Sequence, residues 1–236
     1  NGYEIGPNAD LTGANLKNSD LTSVNLSGAN LSGADLEGAN LEGANLEGAK
    51  IRRANLIDAN LTGSDLTGTD LWGADLFNAN LTGSDLTGAS LEDANLMGAD
   101  LAGRDLSGAN LRGANLYNVN LTGSDLSGAD LTGADLSIAE LRGVDLKGAY
   151  LTDADLEYTK LTDSDLTGAN FHGAINTHFI EYAGFKWNRD PIGLMRALNS
   201  SGAIFTPPEP KETVDITVNG YEIGPNADLT GANLKN

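Results

Sequence analysis

The sequence is poor in several residue types, and each shortage narrows the class of protein it can encode. It has no cysteine, which excludes disulfides and thiolate metal sites. Its 14 basic residues stand against 33 acidic ones, giving a formal net charge of −19. We therefore expect no direct nucleic-acid binding, since phosphate contacts need Lys and Arg. No apolar run reaches the length of about 18 residues that a spanning helix needs, so we expect no membrane insertion.

Catalytic and cofactor motifs are also missing. The sequence contains no GxSxG, no P-loop, no HExxH and no GxGxxG that follows a strand. His172 and His178 are six positions apart, which is not a metal-ligand spacing. Carboxylates are abundant, but a convex repetitive surface has no cleft that would raise a pKa. We therefore predict that the protein is not an enzyme, with no catalytic residues and no cofactor.

What the sequence has in abundance is a pentapeptide repeat that runs from Ala9 to Phe171. Every fifth position from Leu11 holds Leu, replaced once by Ile51 and once by Phe171, so the pattern matches 33 times in succession. The residue two places before is Ala in 22 of these, and the residue two places after is Gly in 22. The residue directly before is Asp in 15 and Asn in 13, so the unit reads A(D/N)LxG.

A period of five fits neither regular secondary structure. In a helix, successive leucines would lie about 140° apart, and in a straight strand they would alternate between faces. The pattern needs a corner inside every pentapeptide, and Gly there suits a turn that requires positive φ. Residues 60–68 and 80–88 both read NLTGSDLTG, with a near copy at 120–128. Four pentapeptides therefore make one coil, and 33 repeats (33/4) make about eight coils.

The A(D/N)LxG pattern resembles that of the pentapeptide repeat proteins. The resemblance implies an all-β solenoid, a right-handed quadrilateral β-helix, to which we add a C-terminal α-helical cap. Some relatives mimic the charge and shape of DNA and bind type II topoisomerases such as gyrase. Those relatives generally dimerise through a terminal helix, whereas the helix expected here is followed by a linker and another repeat start.

The chain divides into five predicted segments. Residues 1–8 form an N-terminal cap strand, the second half of a hairpin, and 9–173 form the β-helix. Residues 174–205 form an aromatic-rich helical cap, with Asp190-Pro191 starting the helix. A Pro-rich linker covers 206–213, and 214–236 hold a β-hairpin and the start of a second unit. The residues that we assign to the cap are Phe179, Tyr182, Phe185, Trp187, Ile192, Met195 and Leu198.

The segment 1–18 recurs letter for letter at 219–236. Before the second copy, Thr213–Val218 alternates apolar and polar residues, and Asn219-Gly220 then leads into Tyr221 and Ile223. Two β-rich runs joined by Asn-Gly are typical of a hairpin with a tight turn. The duplication indicates a tandem array whose repeating unit is the segment 1–218, or else an artificial copy of the terminus.

Two surface columns emerge when positions 20 apart are stacked. The first is an acidic ladder, which suggests either a Ca²⁺ site or, as we prefer, carboxylates that accept backbone amides at their own corners. Its members are Asp65, Asp85, Asp105, Asp125, Asp145 and Asp165. The second is an apolar strip just after the leucines, expected to face water as an interaction strip or as mutual stacking. Its members are Ile57, Phe77, Met97 and Tyr117.

Arg104 stands where the pattern puts a small inward residue. We expect it to turn outward toward Asp85, Asp105 or Asp125, or to mark a local bulge, because an unpaired guanidinium cannot be buried. For function, we predict a structural rod or scaffold, one unit of an array, that binds proteins or neighbouring copies of itself. The alternative is an acidic DNA mimic that binds gyrase. Composition leaves the cellular compartment open.

Overall fold

The computed structural model describes residues 2–175 and four short strands: β1 (Glu181–Tyr182), β2 (Phe185–Lys186), β3 (Ile216–Val218) and β4 (Tyr221–Ile223). Residues 8–175 form a solenoid, whereas residues 2–7, predicted as part of a cap strand, are not assigned to a strand. The residue before each leucine pairs in parallel with its counterpart four pentapeptides later, from Asp10 with Asn30 up to Asp155 with Ile175. Because paired positions are separated by four pentapeptides, the predicted four-sided coil is confirmed.

The interior of the rod is filled by the large residue of each pentapeptide. Leu26, Leu66 and Leu126 are fully buried, and so is Phe171 in the last described coil. The small residue two places before each of them also points inward, as Ala29 does, and leaves room for the leucines of the neighbouring sides. The core is therefore a stack of leucine layers lined by alanine.

Each pentapeptide bends at a corner made by the two residues after the leucine. The Ala14 amide donates to the Leu11 carbonyl at 3.0 Å, and Gly13, which lies between them, has a φ of 65°. A type II turn requires positive φ at this position. Asn78 and Asp58 adopt it too, with φ of 55° and 56°, as expected of the residue types that tolerate it best after Gly.

Backbone hydrogen bonds between successive coils hold the stack together on all four sides. Leu66 donates to the Asp85 carbonyl at 2.8 Å, and Gly68 donates to the Thr87 carbonyl at 2.9 Å. In return, the Asp85 amide donates to the Ser64 carbonyl at 3.0 Å. Nearly every pentapeptide is thus bonded to its counterpart in the next coil, so equivalent side chains of successive coils line up in straight columns on the surface.

The C-terminal boundary differs from the prediction. The β-helix continues to Ile175, whose amide donates to the Ala154 carbonyl at 2.9 Å. Between 174 and 205, β1 and β2 pair antiparallel with Tyr182 opposite Phe185, and the described residues contain no helix. The α-helical cap predicted for 174–205 therefore has no support in the described residues of this stretch. The helix expected from Asp190 lies outside the described residues, as do Phe179, Trp187, Ile192, Met195, Leu198 and the linker 206–213.

Near the C-terminus, β3 and β4 pair antiparallel across Asn219-Gly220. Val218 lies opposite Tyr221, and Ile216 lies opposite Ile223, which is the pairing expected of a hairpin with an Asn-Gly loop. The remainder of 214–236 lies outside the described residues. Among the residues that are described, there is no helix able to span a membrane.

Candidate interaction surface

The structure places the predicted interaction strip along one corner of the rod. The coils that carry it are joined in register: the Asp58 backbone amide donates to the Phe77 carbonyl at 2.9 Å, and the Asn78 backbone amide donates to the Met97 carbonyl at 3.1 Å. Tyr117 is 37% exposed, whereas Ile57, Phe77 and Met97 are half-buried. The expectation that these side chains face water therefore holds only in part, because stacked neighbours cover one another.

The same corner continues with two apolar residues that sequence reasoning missed. Ile138 and Tyr158 occupy the next position of the corner in the two coils after Tyr117, and they are 38% and 49% exposed. They were missed because that position usually holds Gly, so no apolar column was expected there. We call the combined set the apolar corner: Ile57, Phe77, Met97, Tyr117, Ile138 and Tyr158.

Ile138 and Tyr158 hold a strained backbone. Their φ angles are 62° and 55°, a region in which a β-branched or bulky residue is a genuine outlier. Such strain costs on the order of 1–3 kcal/mol per residue. Gly, Asn or Asp would avoid most of it, and these residues fill the matching position in the five coils before Ile138, as in Gly98 and Asn118. The two apolar side chains therefore occupy these positions at a cost to the stability of the fold.

Carboxylates border the apolar corner on both sides. Asp75, Asp135 and Asp155 lie in the column before it, and Asp100 and Glu140 lie in the column after it. Lys160, the one cation in these two columns between positions 55 and 160, forms an ion pair with Glu140. The other six positions of these two columns are Asn. The corner is thus an apolar line whose polar margins carry five carboxylates and one cation.

Each carboxylate of the acidic ladder bonds to its own corner. Asp85 Oδ1 accepts the Thr87 amide at 2.9 Å, and Asp125 Oδ1 accepts the Ser127 amide at 2.8 Å. The same bond to the residue two places later is made at Asp65, Asp105, Asp145 and Asp165. Among the described residues, no group of three or more acidic or histidine side chains is arranged to hold a metal ion.

These corner bonds lower the pKa of some carboxylates in the ladder. The Thr87 hydroxyl and amide lower the pKa of Asp85. The Thr167 hydroxyl and amide, together with Lys147, lower the pKa of Asp165 to about 2. Lys147 Nζ lies 2.8 Å from Asp145 Oδ2 and 3.2 Å from Asp165 Oδ2, so it bridges two rungs. The hydrogen bonds and the nearby cation therefore favour the charged form of Asp165 and tie it to the rod itself.

Arg104 interrupts the rod instead of reaching an aspartate. Its Nε donates to the Ala102 carbonyl at 3.1 Å, and Nη1 donates to the Ser84 carbonyl at 3.4 Å. The expected outward turn toward Asp85, Asp105 or Asp125 is wrong, because the side chain stays half-buried between two coils and takes the acceptor that the Asp105 amide would use. Within residues 2–175, the inter-coil backbone bonds are disrupted only here. The parallel pairing is missing between Asp85 and Asp105, but it is kept between Asn80 and Asp100 and between Ser90 and Asn110. The amides that lack an inter-coil bond of normal geometry are those of Leu81, Gly83, Leu86, Gly88, Asp100, Asp105 and Asn110.

A cation–π pair lies on a neighbouring corner. The Arg53 guanidinium carbon sits 4.4 Å from the centre of the Trp72 ring, and Arg52 Nε lies 2.5 Å from Asp70 Oδ2. Arg53 and Trp72 are 19 positions apart, which makes them diagonal neighbours in a coil of four pentapeptides. His172, on the same corner of a later coil, donates its backbone amide to Asn170 Oδ1 at 3.0 Å.

Comparison with known proteins agrees with this architecture. The family model for pentapeptide repeats matches residues 8–133 and 139–175 in eight copies. No curated protein matches the chain significantly.

Two solved structures are similar over most of the chain. One is HetL, a pentapeptide repeat protein involved in the regulation of heterocyst differentiation in the cyanobacterium Nostoc sp. strain PCC 7120. It is 32% identical over 76% of this chain and 90% of HetL, with a TM-score of 0.59. The other is a trypsin-treated form of QnrB1, a plasmid-mediated fluoroquinolone resistance protein. It is 23% identical over 80% of this chain and 86% of QnrB1, with a TM-score of 0.52. Both are right-handed quadrilateral β-helices, which is the predicted fold.

Proposed function

The chain belongs to the family of pentapeptide repeat proteins, and we propose that it acts as a non-enzymatic rod that binds other proteins along its side. The observation that carries this proposal is the apolar corner, a line of six apolar side chains on a rod whose other columns are mostly polar. A contiguous apolar patch rimmed by polar residues is typical of an interaction site. The strain at Ile138 and Tyr158 supports the same interpretation, since folding alone favours other residues there.

A double substitution on the corner tests this function. We expect Phe77→Ser with Tyr117→Ser to reduce both self-association and the set of proteins retained in a quantitative pull-down, because two central apolar contacts are lost. Thr62→Ala with Thr82→Ala, on a neighbouring corner of the rod, is the matched control and should change neither measurement. Unchanged profiles in the corner variant would contradict the proposal.

We also propose that the rod is one unit of a tandem array. The identity of the segments 1–18 and 219–236 supports a repeating unit that spans 1–218. The β3–β4 hairpin lies at the start of the second copy, where it would lead into the next rod. The intact mass of the native protein tests this: a value near 24.4 kDa would contradict the array, and a multiple of the mass of the segment 1–218 would support it.

An acidic DNA mimic that binds gyrase is the second candidate. Its support is the net charge of −19 on a narrow rod, together with the behaviour of some relatives. A gyrase supercoiling assay separates the two candidates. Inhibition at low micromolar concentration would favour the mimic, and no inhibition at a large excess of rod would exclude it.

A further inference from the structure

We propose that the apolar corner binds an amphipathic α-helix whose apolar stripe is flanked by Lys and Arg. This inference rests on the proposed function as a protein-binding rod and specifies the partner's chemistry. Three features of the corner carry it: its spacing, its acidic margins and its retention of strained residues.

The spacing of the corner suits a helix better than an extended peptide. Adjacent rungs of a β structure lie about 4.8 Å apart, so the six side chains span about 24 Å. A helix presents apolar residues of one face about every 5.4 Å, once per turn, whereas a strand presents same-face residues about 6.7 Å apart. Over the five intervals of the corner, the side chains of a helix fall out of step with those of the rod by about 3 Å, and those of a strand by about 10 Å. About 16 helical residues cover the corner at about 1.5 Å per residue.

The carboxylates beside the corner indicate the charge that the partner's side chains should carry. Asp75, Asp135 and Asp155 lie on one side of the corner and Asp100 on the other, while the nearby cation Lys160 is engaged with Glu140. A helix with Lys and Arg beside its apolar stripe would complement these carboxylates. A second copy of this chain carries the same net charge of −19 and would bring like charges together.

The strained residues give the test a readout that stacking alone would not produce. If Ile138 and Tyr158 served only to stabilise the rod, replacing them would lower its melting temperature. If they are kept for a partner, Ile138→Asn with Tyr158→Asn should relieve the positive-φ strain and raise the melting temperature while binding is lost.

The experiment uses a synthetic helical peptide of about 16 residues, with leucines at i, i+3, i+4 and i+7 spacing and lysines beside them. A matched peptide carries glutamates in place of the lysines. Binding to the full chain is followed by fluorescence anisotropy at low and high salt. We expect the lysine peptide to bind at least about tenfold more tightly than the glutamate peptide, with affinity falling as salt screens the margins.

Protein variants then locate the site. Phe77→Ser with Tyr117→Ser, and Ile138→Asn with Tyr158→Asn, should each weaken binding of the lysine peptide about tenfold or more. Thr62→Ala with Thr82→Ala should leave it unchanged. Equal binding of the two peptides, no binding of either, or full affinity in the corner variants would overturn the proposal. If the wild type instead forms dimers that the corner variants abolish, the occupant is a second copy; the helix proposal then fails while the protein-binding rod stands.

Discussion

Several pentapeptides have Ser in place of the inward-facing Ala two positions before the leucine, and most of these buried hydroxyl groups donate a hydrogen bond. Ser84 Oγ donates to the Leu81 carbonyl at 2.7 Å, and Ser124 Oγ donates to the Leu121 carbonyl at 2.7 Å. Ser64 lies in the same column and is 1% exposed, yet its Oγ has no hydrogen-bond partner. A buried hydroxyl without a partner costs roughly 1–3 kcal/mol.

Ser64→Ala is therefore expected to raise the stability of the rod by about 1 kcal/mol, since it removes that cost without leaving a large cavity. Ala44 fills the equivalent position one coil earlier. Chemical denaturation followed by circular dichroism measures the change. Ser84→Ala, which loses a bonded hydroxyl, is the matched control and should gain nothing. A loss of stability in Ser64→Ala would show that its hydroxyl is bonded after all.

The acidity of Asp165 provides a second test at the residue scale. Its pKa is about 2 in the folded rod, chiefly because the Thr167 hydroxyl bonds to the carboxylate. A carboxylate whose pKa is lowered by folding stabilises the fold above its unfolded pKa, near 3.8, and stops doing so as pH falls through the folded value. This contribution is therefore complete at neutral pH and disappears between about pH 4 and pH 2.

Thr167→Val should raise the pKa of Asp165 from about 2 toward 3.8 without reaching it, because the amide of residue 167 and Lys147 still bond to the carboxylate. Carbon-detected NMR titration of the Asp side chains measures this pKa directly. Thr87→Val is the matched control, since it should raise the pKa of Asp85 and leave that of Asp165 unchanged. An unaltered Asp165 in Thr167→Val would refute the role of the hydroxyl.

Among the elements, the junction between the coils that contain Ser84 and Arg104 is the weakest that the structure describes. We expect Arg104→Ala to close it, because Ala is the usual residue at this position and frees the Ser84 carbonyl for the Asp105 amide. Each restored bond contributes roughly 1 kcal/mol net, offset where the open amides already meet water. Hydrogen exchange should therefore slow at Leu86 and Asp105, and the melting temperature should rise.

Arg142→Ala removes an exposed cation from another corner and should change neither the exchange rates nor the melting temperature. Fast exchange at Leu86 that persists in Arg104→Ala would mean that the gap has another cause. Slow exchange at Leu86 in the wild type would mean that the ladder is intact.

The regular part of each element was predictable from sequence, and the exceptions were not. A period of five, small residues before the leucine and Gly after it allow only a cornered coil, and near copies four pentapeptides apart fix four corners per turn. The orientation of the Arg104 side chain could not be predicted from sequence. It depends on which acceptor is nearer, a carboxylate on the surface or the Ser84 carbonyl between coils. Ile138 and Tyr158 were missed because they occupy the position of positive φ in the turn. That position usually holds Gly, so a pattern of apolar residues was not expected there.

At the scale of the whole molecule, the rod is nearly one-dimensional. Each coil touches only the coils before and after it, so stability is close to a sum of coil terms and junction terms. An intact ladder makes neighbouring coils unfold together, whereas a junction with fewer hydrogen bonds couples its two sides more weakly. The weakened junction at Arg104 lies near the middle of the solenoid, with about four coils on either side. It keeps bonds on its other sides, where the Leu91 amide donates to the Asn110 carbonyl at 2.8 Å.

We therefore expect the wild-type rod to unfold in two steps. Hydrogen exchange at increasing urea concentration should show residues 11–80 and 106–170 losing protection at different concentrations, because this junction has fewer inter-coil bonds and transmits less coupling than the others. In Arg104→Ala the two halves should lose protection together, since the restored ladder joins them. Arg142→Ala serves again as the control and should keep the two steps apart. Loss of protection at one common concentration in both the wild type and Arg104→Ala would mean that leucine stacking alone couples the coils, so that the backbone ladder is not what makes this solenoid cooperative.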